Sequence, residues 1–164
     1  MKKTLYILMA LMCLACCKKP TPVPPDPGTD PTPPGPTPTE TLASKIAAEW
    51  HCEVNDIDAD IYLSLDKAST FELYQKIGEG SYRLYKGTWS LNEDTAMMTG
   101  KYNDGTSWGS GYTVTLSEDG GSMTLDPSED GEDQVYRKTA IPSEVKEKAV
   151  VIVKSEAGIS SPAL

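Results

Sequence analysis

The stretch IYLSLDKASTFELYQKIGEGSYRLYKGTWSL, residues 61–91, decides the fold. Ile61, Leu63 and Leu65 alternate with Tyr62 and Ser64. Phe71, Leu73 and Ile77 then share one face of the chain, against Glu72, Tyr74 and Lys76. In the third segment Tyr82, Leu84 and Lys86 alternate with Arg83, Tyr85 and Gly87. A period of two belongs to an extended chain whose side chains point to opposite faces, so these segments read as strands with one buried face. Between them stand Asp66-Lys67-Ala68-Ser69 and Gly78-Glu79-Gly80. Such residues accept a positive φ or form Asx turns. Strands joined by tight turns, with no helical segment between, predict an antiparallel meander.

The same pattern extends in both directions. Downstream, Trp108, Tyr112, Val114 and Leu116 are in phase, against Thr113 and Thr115. Turn signals recur at 92–94, 103–105, 118–121 and 129–132. Upstream, the period of two begins near Trp50. About eight strands are predicted, near 48–54, 60–66, 70–77, 81–91, 95–102, 109–117, 122–126 and 134–138. Eight antiparallel strands with an apolar inner face remove their unpaired edges by closing into a barrel. At that size the interior is filled by side chains or holds one small ligand.

Helices are expected at both flanks. Leu42, Ile46 and Ala47 lie at helical spacing between Glu40 and Glu49, with Thr39 or Thr41 as N-cap, and the helix should end near Trp50. Ile141-Pro142-Ser143-Glu144-Val145 starts a second helix, with proline early and an acid in the first turn, running to about Ala149. Val150 to Val153 is a short β-like run and residues 158–164 read as loose. The folded domain is therefore expected over 40–153, with 154–164 as a tail.

The segment ahead of the domain is different. Residues 1–15 join two lysines to an apolar run from Leu5 to Ala15, too short for a membrane-spanning helix. That is the make-up of a signal peptide. The run ends in Leu14-Ala15-Cys16-Cys17-Lys18-Lys19. This resembles the lipobox of bacterial lipoproteins, in which the cysteine becomes the lipidated N-terminus. Cys16 is the favoured acceptor, because it has the small Ala15 before it; Cys17 is the alternative, with Leu14 in its usual place. Ten prolines follow within residues 20–38. They remove backbone donors and fix φ, so residues 16–39 read as an unfolded spacer, in which the proline tract at 20–38 has a reach of roughly 60 Å when extended.

Within the domain, Tyr85-Lys86-Gly87-Thr88-Trp89-Ser90-Leu91 is followed by the run from Gly100 to Tyr112, GKYNDGTSWGSGY. A terminal strand then ends in Tyr136-Arg137-Lys138. These segments resemble the small lipocalin-like lipoproteins of Gram-negative gut and oral bacteria, whose pattern is a G-x-W strand, a Y-x-D-G-x-x-W turn and a closing Tyr-Arg-Lys strand. The resemblance covers roughly residues 42–150. It implies a lipocalin-like meander barrel behind a lipobox and linker, and little about activity.

Charge and chemistry narrow the function. The net charge is −9, and loss of Lys2 and Lys3 with the leader takes it to about −11. Nucleic acid and anionic membrane surfaces both select basic patches, so neither is expected to bind the domain. His51 is the only histidine, and Cys52 beside it points to the opposite strand face, so His51 is expected to be structural or superficial and no metal is expected. Cys52 reads as a small buried hydrophobe, or as a partner of Cys17. Asp126-Pro127-Ser128-Glu129-Asp130-Gly131 resembles half a calcium loop, but Arg137 stands where the twelfth-position glutamate belongs. It and the acidic run from Asn55 to Asp60 read as solvated turns, with weak calcium binding as the alternative.

Trp89, Tyr102, Trp108 and Tyr112 are either barrel packing or an aromatic mouth for a small apolar molecule or a sugar ring. The expectation is a membrane-anchored envelope lipoprotein, at the outer membrane with its face unresolved. Its non-catalytic barrel, without cofactor, would bind a small hydrophobic ligand, a glycan or an envelope protein. The alternative is a structural or accessory subunit with a filled barrel.

Overall fold

The structure is a computed structural model and describes residues 40–54, 58–153 and 163–164. The expected leader at 1–15, the lipidation cysteines Cys16 and Cys17, the linker to residue 39 and most of the tail lie outside the described residues.

Eight antiparallel strands form the meander: β1 (Glu49–Val54), β2 (Ala59–Leu65), β3 (Thr70–Ile77), β4 (Arg83–Asn92), β5 (Met97–Tyr102), β6 (Tyr112–Leu116), β7 (Ser122–Pro127) and β8 (Gln134–Lys138). Each pairs with its sequence neighbour, and β1 pairs with β8 through Trp50↔Lys138 and His51↔Arg137, which closes the barrel. The fold is thus mainly β, an eight-stranded up-and-down barrel with two short helices.

Register carries the alternation around the wall. Leu63 opposes Leu73, Leu73 opposes Tyr85, Phe71 opposes Gly87 and Gly87 opposes Tyr102. Met98 opposes Tyr112, Val114 opposes Leu125, and Met123 opposes Tyr136. All of these point inward, because directly paired residues share a face. Trp50, Leu63, Leu73, Met98, Met123, Leu125 and Tyr136 have 0 % exposure, so the interior is filled with side chains.

Two glycines give that interior its shape. At Gly87 a Cβ would stand 2.0 Å from the Lys101 carbonyl oxygen and 2.7 Å from the Phe71 ring. At Gly100 it would stand 2.2 Å from the Trp108 indole. Trp108 belongs to the β5–β6 connection rather than to a strand, and folds its ring back over Gly100. The strand expected from 109 consequently starts at Tyr112.

The first helix, α1 (Leu42–Ile46), is shorter than its apolar spacing predicts, because β1 takes over at Glu49. Thr41 is the N-cap and accepts from the Ser44 N–H at 3.2 Å. The carboxylate of Glu93, from the β4–β5 turn, accepts from the N–H groups of Leu42 and Ala43 at 2.9 and 3.0 Å. The Trp50 indole N–H donates to the Ile46 carbonyl at 2.8 Å. These bonds hold α1 at the end of the barrel where β1 begins, here called the base.

The second helix, α2 (Ser143–Lys148), corrects the assignment of one face. Tyr62, Tyr74 and Leu84 stand opposite one another across β2, β3 and β4 and point outward. A strand reading alone leaves them in water. Instead Ile141 and Val145 cover them, forming a second apolar cluster outside the wall. Glu49 fastens the cover: its carboxylate accepts from the Ile141 N–H at 2.8 Å and pairs with the Lys146 ammonium at 2.6 Å. Ile77 departs the other way. It is in phase with Phe71 and Leu73, but it ends its strand and is 45 % exposed.

The β-like run after α2 is a real strand, β9 (Val150–Val151), parallel to β4 at Arg83 and Leu84. The tail expected to be loose is not so at residues 163–164. Leu164 is 1 % exposed and belongs to the main core.

Candidate functional site

Opposite the base is the mouth, where β3, β5 and β7 end and β2, β4, β6 and β8 begin. Four inward side chains from four strands meet there around Ala163 and Leu164. Gln75 lies on β3, two residues beyond Leu73 on the same face. Its side-chain carbonyl accepts from the Ala163 N–H at 2.9 Å. Gln134 begins β8 and donates from Nε2 to the Ala163 carbonyl at 3.1 Å. The Tyr112 hydroxyl donates to the same carbonyl at 3.3 Å, and the Tyr102 hydroxyl donates to the Leu164 carbonyl at 2.5 Å.

The arrangement fixes orientation. The Tyr136 hydroxyl donates to Gln134 Oε1 at 2.9 Å, which leaves the amide nitrogen to face Ala163. Gln75 is the one buried polar or charged side chain among the described residues. A buried amide is costly without a partner, and the Ala163 N–H supplies one for its side-chain carbonyl. Burial also raises the phenols of Tyr102, Tyr112 and Tyr136 above the usual tyrosine value, keeping them neutral donors.

The four aromatic residues singled out in the sequence divide. Tyr102, Trp108 and Tyr112 come together: Phe71 meets Tyr102 and Trp108 edge-on at 5.6 and 5.2 Å, and Trp108 lies 6.1 Å from Tyr112. Trp89 is elsewhere. It sits towards the base, its indole N–H donating to the Asp66 carbonyl at 3.2 Å. All four are buried, at 4–6 % exposure, so none is an open platform for a sugar ring. The Trp108 Nε1 is buried without a hydrogen-bond partner among the described residues.

Gln75, Gln134, Ala163 and Leu164 were not singled out in the sequence. Gln75 carried a signal, since a polar side chain in phase with Phe71 and Leu73 breaks the binary pattern of the buried face. Gln134, in phase with Tyr136, repeats it. Nothing local marks Ala163 and Leu164.

His51 stands apart on the outer wall. Its Nε2 is 2.7 Å from Asp60 Oδ1, across the β1–β2 pair, and Tyr82 donates to the other Asp60 oxygen. The ring stacks on Tyr62 at 4.4 Å. This is a histidine tied into the outer aromatic layer. Cys52 points inward, buried in the core. Among the described residues no group of three or more His, Cys, Asp or Glu side chains is placed to hold a metal ion. No helix of the described residues is long and apolar enough to cross a membrane.

Compared with known proteins, the chain matches no protein-family model, no curated protein and no solved structure.

Proposed function

We infer that this protein is a lipid-anchored lipoprotein of the bacterial cell envelope whose β-barrel is a non-catalytic binding domain. The observation that carries the binding half is the mouth. Four strands aim polar groups into an otherwise apolar interior, and those groups hold a segment that is not part of the barrel wall. Such a set orients a guest by hydrogen bonds while the apolar floor supplies the burial. The guest class includes small hydrophobic molecules, glycans and protein segments.

The anchoring half rests on the sequence. A short apolar run ends in Cys16 and Cys17, and a proline-rich spacer follows at once. Acyl chains contribute about 0.8 kcal/mol per buried CH₂, so a lipidated cysteine anchors without a spanning helix. Similarity to lipocalin-like lipoproteins agrees with both halves. We assign the protein to the outer membrane. Lys18 and Lys19, in place of acids after the cysteine, favour its periplasmic side.

A second reading, an accessory subunit docking on another envelope protein, is favoured by β9. Val150 and Val151 are 53 % and 64 % exposed, beside exposed Ile77. A short strand with exposed apolar side chains is suited to pairing with a partner.

The test is native mass spectrometry of the chain expressed in bacteria with Cys16→Ser and Cys17→Ser and purified without detergent. It is run on that chain and on the same chain with Leu164→Asp, which puts a charge where the leucine is buried. A discrete added mass, removed by organic solvent, supports a binding barrel. Clean apo masses in both, with an envelope protein captured through β9, replace it with the accessory reading. Metabolic palmitate labelling of the native chain checks the anchor: it should survive Cys17→Ser and vanish with Cys16→Ser.

A further inference from the structure

We propose that the barrel mouth recognises a short peptide-like ligand, an amide unit followed by a branched aliphatic side chain, and that Ala163-Leu164 is its built-in competitor. The proposal rests on the binding-barrel reading and names the ligand class for that site.

The contacts are those of peptide recognition. The N–H of residue 163 is read by the Gln75 carbonyl at 2.9 Å, and its C=O by Gln134 at 3.1 Å and Tyr112 at 3.3 Å. The next carbonyl is read by Tyr102 at 2.5 Å. The leucine side chain is 1 % exposed and belongs to the main apolar core. Backbone groups are held from three directions and one side chain is selected by size. An external peptide offering the same groups satisfies the same partners.

One buried donor near Tyr112 is unpaired among the described residues. The buried Trp108 Nε1 belongs to the aromatic floor formed with Phe71 and Tyr112 and has no acceptor among the described residues. A buried donor left unpaired costs about 1–3 kcal/mol.

The contacts described at the seat are noncovalent: hydrogen bonds with Gln75, Gln134, Tyr112 and Tyr102, and one aliphatic side chain. A tethered occupant acts at an effective concentration of millimolar order. The unmodified chain should therefore resist a free peptide of equal intrinsic affinity, and a chain whose occupant is expelled should not.

The test uses the full chain with Cys16→Ser and Cys17→Ser, with and without Leu164→Asp, titrated with N-acetyl-Ala-Leu-amide. Binding is read by tryptophan fluorescence and by NMR shifts of the Gln75 and Gln134 side-chain amides. Folding is checked by circular dichroism. The expected result is saturable binding to Leu164→Asp at a peptide concentration at least about tenfold lower than the unmodified chain needs. Adding Gln75→Leu and Gln134→Leu should abolish it. A folded Leu164→Asp chain that binds no peptide overturns the proposal. If Leu164→Asp does not fold, the unmodified chain decides: millimolar peptide shifts the two glutamine amides, or the proposal fails.

Native mass spectrometry of the same samples separates the two levels. A different bound molecule with no peptide binding overturns only the ligand class. Absence of both overturns the binding barrel as well.

Discussion

The side-chain carbonyl of Gln75 accepts a hydrogen bond from the backbone N–H of Ala163, 88 residues further along the chain, at 2.9 Å. One polar residue on an apolar strand face thus meets one segment from beyond the barrel wall. Replacing it with the near-isosteric Gln75→Leu leaves that N–H without its acceptor. An unsatisfied buried donor costs about 1–3 kcal/mol, and a loss in that range is expected in urea denaturation. Leu164→Asp disrupts the same seat. The double variant should therefore lose clearly less than the sum of the two single losses.

Gly100 has no room for a side chain. A Cβ there meets the Trp108 ring at 2.2 Å, and that ring is packed edge-on against Phe71. Gly100→Ala should destabilise the barrel by roughly 1–3 kcal/mol, the usual cost of overpacking. It should also change the near-ultraviolet dichroism of tryptophan. An unchanged spectrum would mean that Trp108 does not rest on this glycine.

Glu49 gives the barrel part of its acid limb. Partial burial raises its carboxyl, but the Lys146 ammonium and the Ile141 N–H outweigh this and hold it below the ordinary 4.5. A depressed folded value stabilises above the unfolded pKa, and that contribution is lost as pH falls through the folded value. Glu49→Gln should lower stability near pH 7 by up to about 1 kcal/mol, as expected for a partly exposed pair, and the difference should be smaller at a pH below the ordinary 4.5. Urea midpoints of both proteins at the two pH values check this.

The mouth should also control the alkaline limb. Burial raises the phenols of Tyr102, Tyr112 and Tyr136; burial and then the neighbouring carboxylates raise Tyr74 and Tyr82. The native state holds these protons more tightly than the unfolded chain does. Stability is therefore full below about pH 10 and falls as pH rises beyond it. Absorbance at 295 nm should show these five phenols ionising only as the barrel unfolds. Early ionisation of all tyrosines would show the mouth to be open to water.

Much of the fold was legible. The alternation in 61–91 locates three strands, and β3 and β8 have the bounds that the pattern predicts. Turn residues locate the hairpins, because a reversal needs backbone conformations that few residues accept. The covered outer face was less legible. Tyr62, Tyr74 and Leu84 look solvent-facing until Val145 is brought over them, and that contact joins strands to a helix distant in sequence. The mouth was half legible. Tyr102, Trp108 and Tyr112 stood out as aromatics; Gln75 and Gln134 break the inward pattern but were not singled out, and what they would face left no local mark.

The sequence by itself determined the barrel. A period of two, repeatedly interrupted by turn chemistry, leaves closure as the way to pair every edge. Only the tertiary structure decided what occupies the mouth. Hydrogen bonds from Gln75, Tyr102, Tyr112 and Gln134 to residues 163–164 depend on where four strands end in space. No local pattern encodes that meeting, because the partners are nonlocal and Ala163 and Leu164 contribute backbone groups that every residue carries.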